Sequence, residues 1–165
     1  MSVFIAGGTG FIGRRLTRSL VAQGEEVTVM DIAPQDGDFD DFGDKVRVVR
    51  GDITHFDDVM DKMAGAGAER TINLAYYIGS HHPPHMAMKL NVIGMDNFFE
   101  ASRLTGAKRV VYASSLAVYG FQRNYGERAV NEEDFKHGEN QYSMHKIFNE
   151  WQAQDYIDKH GMSIS

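Results

Sequence analysis

The 165-residue sequence contains no cysteine and only three prolines. Without cysteine the chain cannot form disulfides, use a thiolate nucleophile or bind zinc through sulfur. It also has no apolar run of the roughly 18 residues that a membrane span requires, and no basic segment followed by a signal-length apolar stretch begins it. These absences predict a chain without a membrane span or a secretion signal, and we expect it to be cytoplasmic.

Positive charge is in slight deficit, with 17 Lys and Arg against 23 Asp and Glu and a net charge of −6. This balance disfavours nucleic acid or an anionic membrane as the main partner. A phosphate-bearing ligand is still possible, because a helix N-terminus binds phosphate through backbone N–H groups. The length and the apolar fraction of 42% suit one soluble globular domain over residues 1–165.

Short apolar runs alternate with longer amphipathic segments along the chain. Strands are predicted at Val3–Ala6, Glu26–Ile32, Lys45–Arg50, Arg70–Ala75 and Lys108–Ala113, with the opening of a sixth at Met162–Ser165. Helices are predicted at Phe11–Gln23, Phe56–Ala66, His85–Thr105 and Gln141–His160. Loops are predicted at Ala33–Asp44, Ser80–Pro84 and Ser114–Gly138. This alternation predicts an α/β fold with a doubly wound parallel sheet and helices on both faces.

The turn after the first predicted strand is rich in glycine. The pattern G-x-G-x-x-G is matched by Gly8-Thr9-Gly10-Phe11-Ile12-Gly13. Counted from Gly7, the same turn also matches G-x-x-G-x-x-G, which ends on the same Gly13. Glycines at these positions let backbone N–H groups approach a pyrophosphate at the start of the next helix. The strand before the motif and the helix after it favour a dinucleotide site over a tight turn without a ligand.

Asp31 ends the second predicted strand, which is where a dinucleotide's adenosine ribose would lie. Its carboxylate would accept hydrogen bonds from both ribose hydroxyls and repel a 2′-phosphate, so NAD is predicted rather than NADP. The alternative is a solvated aspartate at a strand end. A nearby arginine, Arg14 or Arg15, could reverse the preference.

Tyr142 and Lys146 are four residues apart on one predicted helix and therefore share a face. An ammonium group beside a phenol favours the phenolate, so the pair could exchange a proton with a substrate hydroxyl or carbonyl. Ser114 and Ser115 directly follow the fifth strand, where a hydroxyl could hold the substrate oxygen. The alternatives are a lysine that extends along the helix to solvent and serines that cap a loop.

Taken in order along the chain, the motifs resemble the N-terminal part of an extended short-chain dehydrogenase/reductase of the NAD-dependent epimerase/dehydratase family. The matching segments are Gly7-Gly8-Thr9-Gly10-Phe11-Ile12-Gly13, Asp31, Gly51-Asp52-Ile53, Asn73-Leu74-Ala75, Asn91-Val92-Ile93-Gly94, Ser114–Gly120 and Tyr142-x-x-x-Lys146. The resemblance implies a Rossmann fold that is truncated before the C-terminal substrate region, so the chain is expected to be fragment-like.

The resemblance also implies roles for individual residues. Catalysis would use Ser115, Tyr142 and Lys146. Cofactor contacts would come from Gly7, Gly10, Phe11, Ile12, Gly13, Asp31, Asp52, Ile53, Leu74, Ala75, Asn91, Tyr142 and Lys146, with Asp52 and Ile53 near the adenine. The implied reaction is an epimerisation or dehydration of a sugar nucleotide or related alcohol, with transient hydride transfer to NAD. The alternatives are an NAD(P)-dependent reductase or dehydrogenase of a small carbonyl compound and a non-catalytic NAD-binding module.

Several residues depart from the family pattern or lie outside it. Gln141, Ser143 and His145 replace the residues usual around the catalytic pair, and Tyr76 and Tyr77 would lie near the nicotinamide or pack under a loop. The histidines of His81-His82-Pro83-Pro84-His85 are interpreted as part of a substrate loop, and no metal site is predicted.

The two long predicted helices resemble those that pair in the family's dimers, so a homodimer is expected. The candidate contacts, which could equally pack on the sheet, are Met88, Val92, Met95, Phe148, Trp151 and Tyr156.

Overall fold

The computed structural model describes residues 2–35, 37–78 and 81–165, and its centre is a five-stranded parallel sheet. The strands are β1 (Ser2–Ala6), β2 (Glu26–Asp31), β3 (Val46–Arg50), β4 (Arg70–Asn73) and β5 (Arg109–Tyr112), in the order β3-β2-β1-β4-β5. Ile164 forms a parallel bridge with Val110 of β5. The pairing predicted for Met162–Ser165 is therefore present as a bridge next to β5.

Helices connect the strands. They are α1 (Phe11–Ala22), α2 (Phe56–Ala66), α3 (Pro84–Met88), α4 (Gly94–Leu104) and α5 (Gln141–His160), and a π-helical turn, Lys89–Ile93, joins α3 to α4. Short 3₁₀ turns occupy Asp40–Lys45, Leu116–Tyr119 and Gln122–Asn124, within segments predicted to be irregular. The predicted long helix His85–Thr105 is thus present, with a π turn that periodicity does not indicate.

Side chains alternate between the two faces of β1 and feed two apolar clusters. Val3 and Ile5 pack with residues of α1, including Val21, on one face of the sheet. On the other face, a larger cluster takes residues from β1, α2, α4 and α5, among them Phe4, Met63, Met95, Phe98 and Ala153. Helices on both faces of a parallel sheet confirm the predicted doubly wound α/β fold.

Helix α5 has strong signals at both ends. The Asn140 side chain accepts a hydrogen bond from the Ser143 N–H at 3.0 Å, and the Ser143 hydroxyl accepts one from the Asn140 N–H at 3.1 Å. This reciprocal capping box gives Ser143 a structural role. At the other end Gly161 adopts a φ of 65°, the left-handed conformation that ends many helices. None of the described helices is long and apolar enough to cross a membrane.

Candidate active site

A cleft of about 360 Å³ lies at the carboxyl ends of the strands. The chain adds β2 and β3 on one side of β1 and then β4 and β5 on the other, so the direction of winding reverses beside β1. This is the position at which doubly wound sheets bind their ligands. Its walls come from the segments after β1, β2, β3 and β4 and from α3 with the π turn. They include Gly7, Gly10, Asp31, Asp52, Ile53, Leu74, Ala75, Tyr76, Tyr77, Met86 and Lys89.

Two glycines permit the close packing of the turn after β1. Gly7 has a φ of +76°, and a Cβ there would lie 2.6 Å from the Ala75 amide nitrogen. A Cβ at Gly13 would lie 2.5 Å from the carbonyl oxygen of Gly7. A side chain at Gly7 would therefore force the turn away from the segment after β4, and one at Gly13 would force α1 away from the turn.

The N-terminus of α1 is left open by this turn. Gly10 occupies the cap position without a side-chain hydrogen bond, and the first turn carries no acidic residue. Phe11 and Ile12 in that turn are exposed. The first backbone N–H groups of a helix have no partner within the helix and favour an anion, so this end of the cleft suits a pyrophosphate.

Asp31 is held at the end of β2. Its carboxylate accepts hydrogen bonds from the Thr9 N–H at 3.2 Å and the Ala33 N–H at 3.4 Å. Arg14 is engaged elsewhere, in an ion pair with Asp38 at 3.1 Å, and the Arg15 guanidinium stacks on Phe11, 4.0 Å from the ring centroid. Neither arginine pairs with Asp31, which leaves its negative charge facing the cleft.

Asp52 and Ile53 form the wall after β3. The Asp52 carboxylate accepts a hydrogen bond from the Thr54 N–H at 2.9 Å and lies 3.3 Å from His55. Burial alone would raise the pKa of Asp52, but hydrogen bonds from the backbone and side chain of Thr54, with His55 and Lys89 nearby, lower it overall. Asp52 is therefore an acceptor at neutral pH, and Ile53 beside it is buried and apolar.

Leu74 and Ala75 follow β4 rather than belonging to it, because the strand ends at Asn73. The buried Asn73 side chain accepts a hydrogen bond from the Ala75 N–H at 3.0 Å and so bends the chain into the cleft. The predicted strand Arg70–Ala75 is two residues too long for this reason.

Asn91 lies in the π turn, behind the cleft wall. Its side chain accepts a hydrogen bond from the Tyr77 N–H at 2.8 Å and donates one to the Tyr77 carbonyl at 3.0 Å. The Asn91 carbonyl in turn accepts a hydrogen bond from the Asn149 amide of α5 at 2.9 Å. The π turn thus clamps the segment after β4 and is itself fastened to α5.

The cleft meets α5 at a cluster of Tyr76, Tyr142 and Lys146. The Tyr76 and Tyr142 rings make an edge-to-face contact with centroids 5.7 Å apart. The Lys146 ammonium lies 3.3 Å from the Tyr76 ring centroid and 5.8 Å from that of Tyr142, and it donates a hydrogen bond to the Ala113 carbonyl at 2.5 Å. Burial lowers the pKa of Lys146 to about 8, against a smaller opposing influence of Glu150.

The model of the NAD-dependent epimerase/dehydratase family matches residues 3–165. The chain belongs to this family. The predicted family and its NAD dependence are confirmed by this match.

Individual relatives agree with the family match. An undecaprenol-diphosphate-linked N-acetylglucosamine 4-epimerase of Escherichia coli O157:H7 is 24% identical, over 91% of this chain and 43% of its own length. A 2-alkyl-3-oxoalkanoate reductase of Stenotrophomonas maltophilia is 34% identical over 72% of this chain and 34% of its own. The solved complex of the Thermus thermophilus UDP-glucose 4-epimerase with NAD has a TM-score of 0.88 and 26% identity, and the match covers 99% of this chain and 53% of that one.

The chain spans less than half the length of those two curated relatives. The match to the solved structure likewise covers about half of it, in agreement with the truncated Rossmann fold predicted from the sequence.

The two serines predicted near the reaction centre of this family member have separate partners. The Ser115 hydroxyl accepts a hydrogen bond from the Ala117 N–H at 3.2 Å and caps the 3₁₀ turn that follows. The Ser114 hydroxyl donates to Glu150 at 2.5 Å. Within the described residues no hydrogen bond joins Ser115 to Tyr142 or Tyr142 to Lys146. The three residues of the predicted triad are therefore not hydrogen-bonded to one another.

The histidine-rich segment packs against a residue of the cleft wall, Tyr77. His82 stacks on Tyr77 with ring centroids 3.8 Å apart. No group of three His, Asp or Glu suited to a metal occurs among residues 2–35, 37–78 and 81–165. Part of the predicted loop Ser80–Pro84, namely Ser80, lies outside the described residues.

Three of the residues that build the site lie outside the sequence motifs that predict a function. Met86 and Lys89 line the cleft, and the fully buried Asn149 accepts a hydrogen bond from the Tyr76 hydroxyl at 3.0 Å. Asn149 lies seven residues after Tyr142, two turns along the same face of α5. The sequence signal for Asn149 is an amide side chain on the apolar face of a helix, because a buried amide needs hydrogen-bond partners.

Proposed function

We propose that this chain binds NAD and supplies the catalytic groups of an epimerase or dehydratase acting on a sugar nucleotide or related alcohol. The observation that carries the proposal is the continuity of the cleft. It runs from the open N-terminus of α1, past Asp31 and Ala75, to Tyr76, which contacts Tyr142 and Lys146.

The cofactor would lie along the strand ends. The N-terminus of α1, with Gly7, Gly10, Phe11, Ile12 and Gly13, would hold the pyrophosphate, and Asp31 would accept from the adenosine ribose. Asp52 and Ile53 would border the adenine. Leu74 and Ala75 would lie along the cofactor toward its nicotinamide end, where Lys146 would hold the second ribose and Asn91 would support the wall.

Catalysis would centre on Tyr142. When bound, the nicotinamide supplies reversible hydride acceptance from the substrate carbon. Tyr142 would take the proton of the substrate hydroxyl, and the Lys146 ammonium would favour the phenolate by its charge. With a pKa of about 8, Lys146 is mostly protonated at neutral pH. Ser115, in the segment after β5, would hold the substrate oxygen.

Two measurements test this function. Calorimetric titration with NAD and with NADP should show tighter binding of NAD, and the opposite order would contradict the role given to Asp31. When the whole protein is incubated with NAD and UDP-glucose, NMR of the sugar should show inversion at its C4. Binding of NAD without any turnover of sugar nucleotides would instead favour a non-catalytic NAD-binding module.

A second candidate is an NAD(P)-dependent reductase or dehydrogenase of a small carbonyl compound. It is supported by the 34% identity to a 2-alkyl-3-oxoalkanoate reductase. The two candidates differ in the fate of the hydride, because an epimerase returns it to the substrate. Net accumulation or consumption of NADH in the presence of substrate would favour the second candidate.

We also propose that the protein forms a homodimer through its long helices. Met144, Phe148 and Trp151 follow helical spacing on α5, and all three are exposed, Trp151 to 73%. Met88 is exposed as well, whereas Met95 is buried in the core and Tyr156 packs on Phe99. Those last two are therefore not free to serve as dimer contacts. Trp151→Glu should shift the protein to a monomer in sedimentation, and an unchanged mass would contradict the dimer.

A further inference from the structure

Tyr76 contacts both members of the proposed catalytic pair. We propose that the face of its aromatic ring is a positioning element that holds the buried Lys146 ammonium at the cleft, beside Tyr142. The inference rests on the proposed function in so far as Lys146 acts in catalysis there. The contact itself is a property of this chain without any ligand.

The geometry places the ammonium directly on the ring. Lys146 is only 3% exposed, and its nitrogen lies 3.3 Å from the Tyr76 centroid, well inside the range of a cation–π contact. The Ala113 carbonyl accepts a hydrogen bond from the same nitrogen at 2.5 Å. The ammonium is therefore located by two contacts, one from the segment after β5 and one from the segment after β4.

The Tyr76 ring is itself fixed. Its hydroxyl donates to the Asn149 side chain at 3.0 Å, and Asn149 is fully buried. Asn149 also donates to the Asn91 carbonyl in the π turn at 2.9 Å. The next residue, Tyr77, is held through its backbone by the Asn91 side chain. With the ring anchored at its hydroxyl and its backbone clamped nearby, Tyr76 presents one face to Lys146.

The Tyr76 ring offsets part of the cost of burying the Lys146 charge. In the described part of the chain no carboxylate lies within 4.0 Å of the Lys146 nitrogen. The ionisable groups around it are Tyr76, Tyr142 and Glu150, and Glu150 is already bound by Ser114 and Lys136. A buried ammonium without an ion pair is costly, and an aromatic face offsets part of that cost without neutralising the charge.

The test compares two substitutions at Tyr76 by titrating lysine side chains with NMR. Tyr76→Leu removes the aromatic face and keeps an apolar side chain, whereas Tyr76→Phe keeps the face and loses only the hydroxyl. The Lys146 resonance is assigned by its absence from Lys146→Met. Lys159, which is exposed and paired with Asp155 on the surface, serves as an internal control.

We expect Tyr76→Leu to lower the pKa of Lys146 by about one unit, which is a tenfold smaller ratio of ammonium to amine at a given pH. Tyr76→Phe should leave it within a few tenths of a unit, and Lys159 should not move in either variant. An unchanged Lys146 pKa in Tyr76→Leu would overturn the proposal. An equal fall in Tyr76→Phe would also overturn it, because the hydroxyl rather than the ring would then be responsible.

Two further arms keep the test decisive. If Tyr76→Leu does not fold by circular dichroism, Tyr76→Met replaces it as the variant without an aromatic face, and the same outcomes apply. Calorimetric titration of the wild-type chain with NAD is done separately. Failure to bind NAD would contradict the proposed function, while the Lys146 titration would still decide the role of Tyr76.

Discussion

The proposed cofactor cleft and the cluster of Tyr76, Tyr142 and Lys146 adjoin at Tyr76, yet they are built in different ways. The cleft is shaped by turns of the backbone, namely the glycine turn, the N-terminus of α1 and the bends after β2, β3 and β4, whose residues line it. The cluster is made of side chains from two separate segments, after β4 and on α5, and a backbone carbonyl after β5 accepts a hydrogen bond from its lysine.

This difference has a physical consequence. Backbone groups are positioned by local geometry, so the cleft needs only short motifs with small residues at fixed places. The cluster needs a lysine charge to be buried and side chains from distant parts of the sequence to meet, which depends on the packing of α5 against the π turn. We therefore expect substitutions in the cleft to affect NAD affinity and the packing of the turns. Substitutions in the cluster should affect turnover and the pKa of Lys146.

The largest effect is expected for Tyr142→Phe, which removes the proposed proton acceptor. Turnover in the epimerisation assay should fall by roughly 10²- to 10⁴-fold, the usual contribution of a general acid or base. NAD affinity measured by calorimetry should change by less than about tenfold. Tyr119→Phe, outside the cluster, is the matched control. Unaffected turnover in Tyr142→Phe would show that the proposed mechanism is wrong.

A pH effect is expected from Lys146. Because burial lowers its pKa from 10.5 to about 8, the unfolded chain binds more protons at this group between those pH values. The free energy of unfolding should therefore rise with pH over that interval, by up to about 3 kcal/mol from this group. Lys146→Met should lack this component in urea unfolding at a series of pH values, whereas Lys108→Met, at an exposed site, should retain it. Parallel curves for wild type and Lys146→Met would refute the expectation.

Packing of the glycine turn can be tested with Gly13→Ala. The added Cβ would lie 2.5 Å from the Gly7 carbonyl oxygen, so the free energy of unfolding should fall by about 2 kcal/mol and NAD binding should weaken. Gly65→Ala is the control, since nothing lies within 4 Å of a Cβ there and alanine favours the helix. Equal stability of the two variants would mean that the turn relaxes without cost.

The smallest effect is expected for Asp31→Asn. It removes the charge that would favour ribose hydroxyls over a 2′-phosphate, so NAD should bind about tenfold more weakly and the preference over NADP should narrow. Asp44→Asn, on the surface, is the control. Titration calorimetry with both dinucleotides measures the two affinities. An unchanged preference for NAD over NADP would show that Asp31 does not distinguish the two dinucleotides.

Much of the fold and of the cleft can be predicted because the signals are local. The turn Gly7–Gly13, the strand runs and Asp31 each follow from neighbouring residues, and their positions agree with the structure. The predicted end of β4 is wrong because the bend after Asn73 comes from a side-chain hydrogen bond that apolar runs do not reveal. The π turn at Lys89–Ile93 escapes prediction for a related reason, since its Asn91 carbonyl is satisfied by Asn149 from a distant helix.

The sequence by itself determined the family, the order of elements, the glycine turn and the placement of Tyr142 and Lys146 on one helix, because each is encoded in a short run or in helical spacing. Only the tertiary structure decided that Met95 belongs to the core, that Ser115 caps a turn, and that Tyr76 covers the ammonium of Lys146. These outcomes depend on how α5 packs against the π turn and the segment after β4. Contacts between residues far apart in sequence arise only when the whole chain has folded.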